Sequence, residues 1–149
     1  MDISILNEKP TVSGAILYRE VFTSSAEEKE RVIQNLMDHV GDLENPCESK
    51  AEFRYRLCFD EVVQNAIEHG NANEPSKKVD VTLFLEDDQW GLVVTDEGEG
   101  FEPDSIPDVD SPEALMRENG RGLWILTEYM DHVTYYDGGR TAVLKRRIR

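Results

Sequence analysis

Two alternating stretches joined by a pair of aspartates constrain this chain more than any other feature in it. From Lys78 to Glu86, Val79, Val81, Leu83 and Leu85 fall on one side, and Asp80, Thr82, Phe84 and Glu86 on the other. A period of two is the mark of a half-buried strand. Asp87-Asp88 supplies a turn, and Gln89 to Asp96 follows as the partner strand. A sheet with one apolar face must bury that face under another layer.

Two helices are expected to provide the layer. Ser25 followed by Glu28 has the form of a capping box, in which each side chain serves the other's backbone N–H. The helix it opens carries Val32, Ile33, Leu36, Met37 and Val40 on one face and ends near Gly41. After Asn45-Pro46, a longer helix is expected from about Ser49 to His69, with Gly70 as its C-cap. Ala15 to Phe22 reads as a first strand. Residues 1–13 read as a loose lead-in. Gly120 to Met130 reads as a helix, and Val133–Tyr136 pairs with Thr141–Ile148 across Asp137-Gly138-Gly139. The expected fold is α+β: a two-layer sandwich with a mixed sheet of about five strands and helices on one face. The whole chain, 1–149, is expected to form one domain.

Charge narrows the partners. The chain has 16 Lys and Arg against 31 Asp and Glu, a net charge of −15, and such a field repels nucleic acid and anionic lipid. Neither a nucleic acid nor a membrane is expected as a partner. The basic cluster Lys145, Arg146, Arg147 and Arg149 reads as solvated charge on a terminal strand. Cys47 and Cys58 have no zinc or redox spacing and read as free thiols of a reducing cytosol. His39, His69 and His132 suggest no metal cluster. The opening M-D-I-S-I-L-N-E-K-P lacks a basic region followed by an apolar run, so no signal peptide and a cytoplasmic location are expected.

Three motifs carry chemistry. In F-D-E-V-V-Q-N-A-I-E-H-G, Phe59 to Gly70, a helical step of about 100° puts Glu61, Asn65 and Glu68 on one arc, opposite Phe59, Val62, Val63, Ala66 and Ile67. Such an asparagine can offer a neutral oxygen to Mg²⁺ held by phosphates. Such a glutamate can take a proton from a group attacking phosphorus. A solvated polar face would look the same. In D-E-G-E-G-F, Asp96 ends an apolar strand, and Gly98 and Gly100 let the backbone turn and come close to a ligand. A lone acceptor there suits the exocyclic amine of adenine, though a plain acidic turn has the same letters. In N-G-R-G-L, Asn119 to Leu123, bare amides at a helix start form an anion site. Gly120 and Gly122 give access there, and Arg121 adds charge. A hinge before a core helix is the bland alternative. Between the last two motifs, residues 102–119 hold three prolines and six acids against the single Arg117. A loop this long in a compact domain is usually either functional or disordered, and it reads here as a lid. Arg117 is a candidate phosphate contact.

The order of these motifs resembles the ATPase superfamily shared by gyrase, bacterial histidine kinases and mismatch-repair ATPases. E-V-V-Q-N-A-I-E-H-G resembles its N box, D-E-G-E-G-F its first glycine box and G-R-G-L its second. The resemblance covers about Ala15 to Ile148 and implies a Bergerat-type fold with ATP and Mg²⁺ as cofactors. In size and motif spacing the chain is most similar to the stand-alone anti-sigma serine/threonine kinases. That likeness implies Glu61 as the base, Asn65 as Mg²⁺ ligand and Asp96 as adenine reader, with Thr141 beside Asp96. It also implies Gly98, Gly100, Gly120, Arg121 and Gly122 around the lid and phosphates. The implied partners are ATP and ADP, a STAS-type anti-anti-sigma protein that is phosphorylated, and a sigma factor or other regulator that is held. A homodimer is open, with Ile16 and Tyr18 as candidate interface residues. An ATP-gated binding module or ATPase without protein kinase activity fits the same motifs.

Overall fold

A computed structural model describes residues 3–6, 14–43, 49–98, 125–136 and 140–148. The elements are β1 (Ile3–Leu6), β2 (Ala15–Thr23), α1 (Ala26–Leu43), α2 (Ser49–Asn65), a π turn (Ala66–Gly70), β3 (Lys78–Glu86), β4 (Gln89–Asp96), β5 (His132–Tyr136) and β6 (Thr141–Arg147). Residues 125–129, described at the end of the helix expected from Gly120, are helical and precede β5. The sheet runs β1-β5-β6-β4-β3-β2. Its pairings are antiparallel except β1 with β5, which is parallel.

The architecture is the expected α+β sandwich with a mixed sheet, which among the described residues has six strands where about five are expected. The extra strand comes from the segment read as a loose lead-in. Ile3 to Leu6 pairs with Val133 to Tyr136. Four residues whose partner lies at the far end of the chain leave almost no local signal.

The hairpin forms as its alternation dictates. Val81 opposes Val94 and Leu83 opposes Leu92, and the turn residue Asp87 takes φ 53°, a conformation Asp tolerates. Val79, Val81, Leu83, Trp90, Leu92 and Val94 face the helices and are buried. They meet Val32, Ile33, Leu36 and Val40 of α1 and Cys58, Phe59, Val62 and Val63 of α2 in one core. Trp90 anchors it: the Tyr55 ring meets it edge-on at 5.6 Å and Phe59 at 5.7 Å, a favoured aromatic geometry. On the opposite face, among the described residues, the buried apolar side chains form a small cluster of Phe84, Val93 and Val143, with Tyr136 against it, and Thr141 is buried on the same face. This division of burial puts both helices on one face.

Several local expectations are corrected. The capping box is half formed: Ser25 Oγ accepts the Glu28 N–H at 3.2 Å, while the Glu28 carboxylate accepts from Arg31. Arg146 is not simply solvated. Strand alternation turns it toward the helices, where it donates to the Tyr55 hydroxyl at 2.7 Å and the Tyr129 carbonyl at 2.6 Å. Tyr18 is a poor interface candidate, because its ring packs 5.3 Å from His39 and its hydroxyl donates to Glu20 at 2.5 Å. Ile16 is 61% exposed. None of the described helices is long and apolar enough to cross a membrane.

Candidate nucleotide site

The site is built where α2 runs out against the end of β4. Glu61 and Asn65 stand one α-helical turn apart and are half-buried, while Val62, Val63, Ala66 and Ile67 are buried in the core. The face expected from the helical period is therefore the face observed. Glu68 is exposed. Burial raises the pKa of both Tyr135 and Cys58; Arg146 pulls Cys58 the other way, and the Glu61 charge adds a smaller upward push on each.

The helical run reaches Gly70, but not as α-helix throughout. It changes at Ala66 to a π turn, closed by the Asn71 N–H donating to the Ala66 carbonyl at 2.8 Å. Gly70 is accordingly no left-handed C-cap; positive φ values fall at Ala72 and Asn73 instead. The reason for a glycine here is space. A Cβ on Gly70 would overlap the Asp96 carboxylate, and a Cβ on Gly98 would overlap the Gly70 carbonyl. The helix end and the post-strand turn lie so close that a side chain at either position forces a neighbour to move.

Asn71 fastens this junction. It is wholly buried. Its Oδ1 accepts the Glu97 N–H at 2.8 Å, and its Nδ2 donates to Ser24 Oγ at 3.1 Å and the Lys78 carbonyl at 2.9 Å. Three segments distant in sequence thus meet on one carboxamide: the β2–α1 junction, the start of β3 and the turn after β4.

Asp96 folds back over its own turn, its Oδ1 accepting the Gly98 N–H at 2.8 Å. Burial pushes its carboxyl up to about 6, against the opposing pull of that N–H, Arg140 and Lys77. A carboxylate held out of water is incompletely compensated, and a donor from a ligand would complete it. The site therefore fits a group presenting an N–H edge.

Thr141 is not beside the Asp96 carboxylate. It stands opposite Thr95 in the ladder, and their hydroxyls are 3.1 Å apart. Alternation sends that pair to the face away from the helices and Asp96 toward them. The residue beside Asp96 on this side is Arg140. Its carbonyl accepts the Asp96 N–H at 2.9 Å, and its Nε donates to the Gly98 carbonyl at 2.7 Å. Asn71 and Arg140 were missed at the level of sequence; a parity count from Val143 would have flagged the phase of Thr141. Gly100, Arg117, Gly120, Arg121, Gly122 and the lid at 102–119 lie outside the described residues.

Comparison with known proteins agrees with this geometry. The family described as Histidine kinase-like ATPase domain matches residues 23–146, a span that includes Glu61, Asn65, Asp96 and Arg140. Over 98 residues the chain is 34% identical to the Anti-sigma F factor of Geobacillus kaustophilus, covering 59% of this chain and 64% of that protein. It is 26% identical over 113 residues to the Serine-protein kinase RsbW of Listeria monocytogenes, covering 67% of this chain and 72% of that one. With the protein of the same name from Staphylococcus epidermidis the identity is 28% over 102 residues, 63% of this chain and 64% of the relative. The chain thus spans a little under two thirds of the length of the anti-sigma F factor it matches. Because the family match extends over most of the chain and across the site itself, this chain belongs to the histidine kinase-like ATPase domain family.

Proposed function

We propose that this chain is an ATP-dependent serine/threonine kinase of the anti-sigma type, which phosphorylates a STAS-type anti-anti-sigma partner and holds a sigma factor or other regulator in alternation with it. The observation that carries the reading is the meeting of the Glu61–Asn65 helix with Asp96 through Gly70 and Gly98. The kinship with proteins named anti-sigma factor and serine-protein kinase supports the choice of reaction.

In this reading Asp96 accepts the adenine amine. Guanine would face it with a carbonyl oxygen and leave the carboxylate without a donor, at a cost of about 1–3 kcal/mol. Asn65 lends its neutral oxygen to Mg²⁺, which supplies charge neutralisation at the phosphates when bound. Glu61 takes the proton of the partner's hydroxyl as that oxygen bonds to the γ-phosphorus. The bond from the γ-phosphorus to the β–γ bridging oxygen breaks, and ADP leaves. Gly98 borders the base. Gly100, Gly120, Arg121 and Gly122 serve the phosphates and the lid, and Thr141 supports the base pocket only through Thr95. The exposed Ile16 on β2 supports the homodimer that the resemblance implies.

The test is phosphate transfer. The chain is incubated with Mg²⁺ and γ-labelled ATP, with and without a STAS-domain protein bearing its phosphorylatable serine. Label on that serine, with ADP formed in equal amount, is expected. Nucleotide bound tightly with no label transferred would sink the kinase reading and leave the ATP-gated binding module in its place.

A further inference from the structure

We propose that Arg140 is a positioning and specificity-setting residue of the nucleotide site: it braces the turn after Asp96 and keeps the Asp96 carboxylate charged for the base. The inference rests on the reading of Asp96 as the base acceptor. It adds a residue that the motifs do not contain.

The geometry is two-sided. The backbone of Arg140 ends the β4–β6 ladder, its carbonyl taking the Asp96 N–H at 2.9 Å. Its side chain crosses to the next turn, where Nε donates to the Gly98 carbonyl at 2.7 Å. Gly98 in turn donates its N–H to Asp96 Oδ1 at 2.8 Å. One residue therefore holds both ends of the three-residue turn that aims the carboxylate. A guanidinium is suited to this, because its donors are fixed in a planar fork and its charge is permanent.

The second effect is electrostatic. Desolvation opposes ionisation of Asp96, and the positive charges set against it are Arg140 first and Lys77 after it. The chain as a whole carries a net charge of −15, so the surrounding field does not help. A base amine needs the ionised, accepting carboxylate, since a protonated one presents a donor to a donor. Arg140 thus widens the pH range over which the site reads adenine.

Calorimetric titration with ADP from pH 5 to 8 tests this on the full chain, with Arg140→Met, Arg140→Gln, Arg140→Lys and Lys77→Met alongside. Wild-type affinity should fall by about tenfold between pH 7 and 5, as the carboxyl with its pKa of about 6 takes up its proton. In Arg140→Met the fall should begin at higher pH. Arg140→Gln, which keeps an amide donor, carries the same test if the methionine variant does not fold. Arg140→Lys should restore the midpoint toward wild type while weakening affinity at every pH, because it keeps the charge and loses the Nε geometry. Lys77→Met should move the midpoint less than loss of Arg140. A purely structural role would lower affinity without moving any midpoint, and that result overturns the inference. A wild-type protein whose ADP affinity is flat from pH 5 to 8, or that binds no ADP, removes Asp96 as the base acceptor and the reading beneath the inference with it. A normal wild-type profile with unshifted midpoints in both neutral variants sinks the role of Arg140 alone.

Discussion

The side-chain oxygen of Asn71 accepts the backbone N–H of Glu97 at 2.8 Å, so the residue that closes the π turn also holds the turn that aims Asp96. Its Nδ2 is committed elsewhere, to Ser24 Oγ and the Lys78 carbonyl. Asn71→Ala would remove three part-buried hydrogen bonds, each worth about 0.5–1.5 kcal/mol. We expect the unfolding free energy to drop by about 2–4 kcal/mol in urea titration. Ser24→Ala, which removes one partner only, should cost about 1 kcal/mol or less. A wild-type urea midpoint in Asn71→Ala would mean that the junction is held by other contacts.

Gly70→Ala separates shape from stability. The added methyl meets the Asp96 side chain rather than backbone, so the carboxylate has to move. Overpacking of this kind costs about 1–3 kcal/mol, and the fold should survive it. ADP affinity should fall by roughly tenfold or more, because the displaced carboxylate no longer faces the base. Gly98→Ala drives its methyl into the Gly70 carbonyl and should be worse tolerated in thermal unfolding. If Gly70→Ala binds ADP as wild type does, Asp96 is not where the base sits.

The parts of this molecule that were legible in the sequence are those whose cause is local. The 78–96 hairpin announced its faces by alternation, and α1 its buried stripe by spacing. Glu61 and Asn65 shared an arc by arithmetic, and the helix kept them there. What escaped depends on distant segments meeting. Ile3–Leu6 has no local reason to be a strand until β5 is beside it. The π turn ends with Gly70 against Asp96, a long-range approach that no helical propensity encodes. Asn71 stands outside every motif, and its three partners make it a hub. Arg140 stands outside them too. Thr141 was assigned by likeness to a motif, and strand parity with Val143 overrules the assignment.

Asp96 should be a stability liability that the site tolerates for its use. Its folded-state pKa, about 6, lies above the ordinary 3.8. The folded protein therefore binds this proton more tightly than the unfolded chain. The group penalises folding in full above about pH 6, and the penalty fades as pH falls toward 3.8. Asp96→Asn removes the charge and keeps an oxygen for the Gly98 N–H. Without nucleotide, the variant should be more stable than wild type by about 1–2 kcal/mol at pH 7, after allowing for solvent screening. The difference should vanish near pH 4. The same variant should bind ADP more weakly. Equal stability of the two proteins at pH 7 and pH 4 would show that the carboxylate is better compensated than its burial implies.

Asn65 and Glu61 share a helix face but should fail in different ways. Asn65 meets nucleotide through Mg²⁺ in the proposed reading, so Asn65→Ala should reduce ATP affinity several-fold with magnesium present and hardly at all with magnesium chelated. An equal loss in both conditions would make Asn65 a packing residue at the α2 end. Glu61 acts on the proton of the acceptor hydroxyl, so Glu61→Gln should leave ATP affinity within about twofold and cut transfer by a factor of about 10²–10⁴. Glutamine keeps the length and polarity of the side chain, so the core around Cys58 and Tyr135 should survive the change. Burial, the main reason that the pKa values of both groups are raised, is unchanged by the substitution, while the smaller contribution of the Glu61 charge is lost. Thermal unfolding checks that the fold is kept, without any kinase assay. A variant that unfolds as wild type does and still transfers phosphate at the wild-type rate would leave Glu61 in its place and take the base role from it.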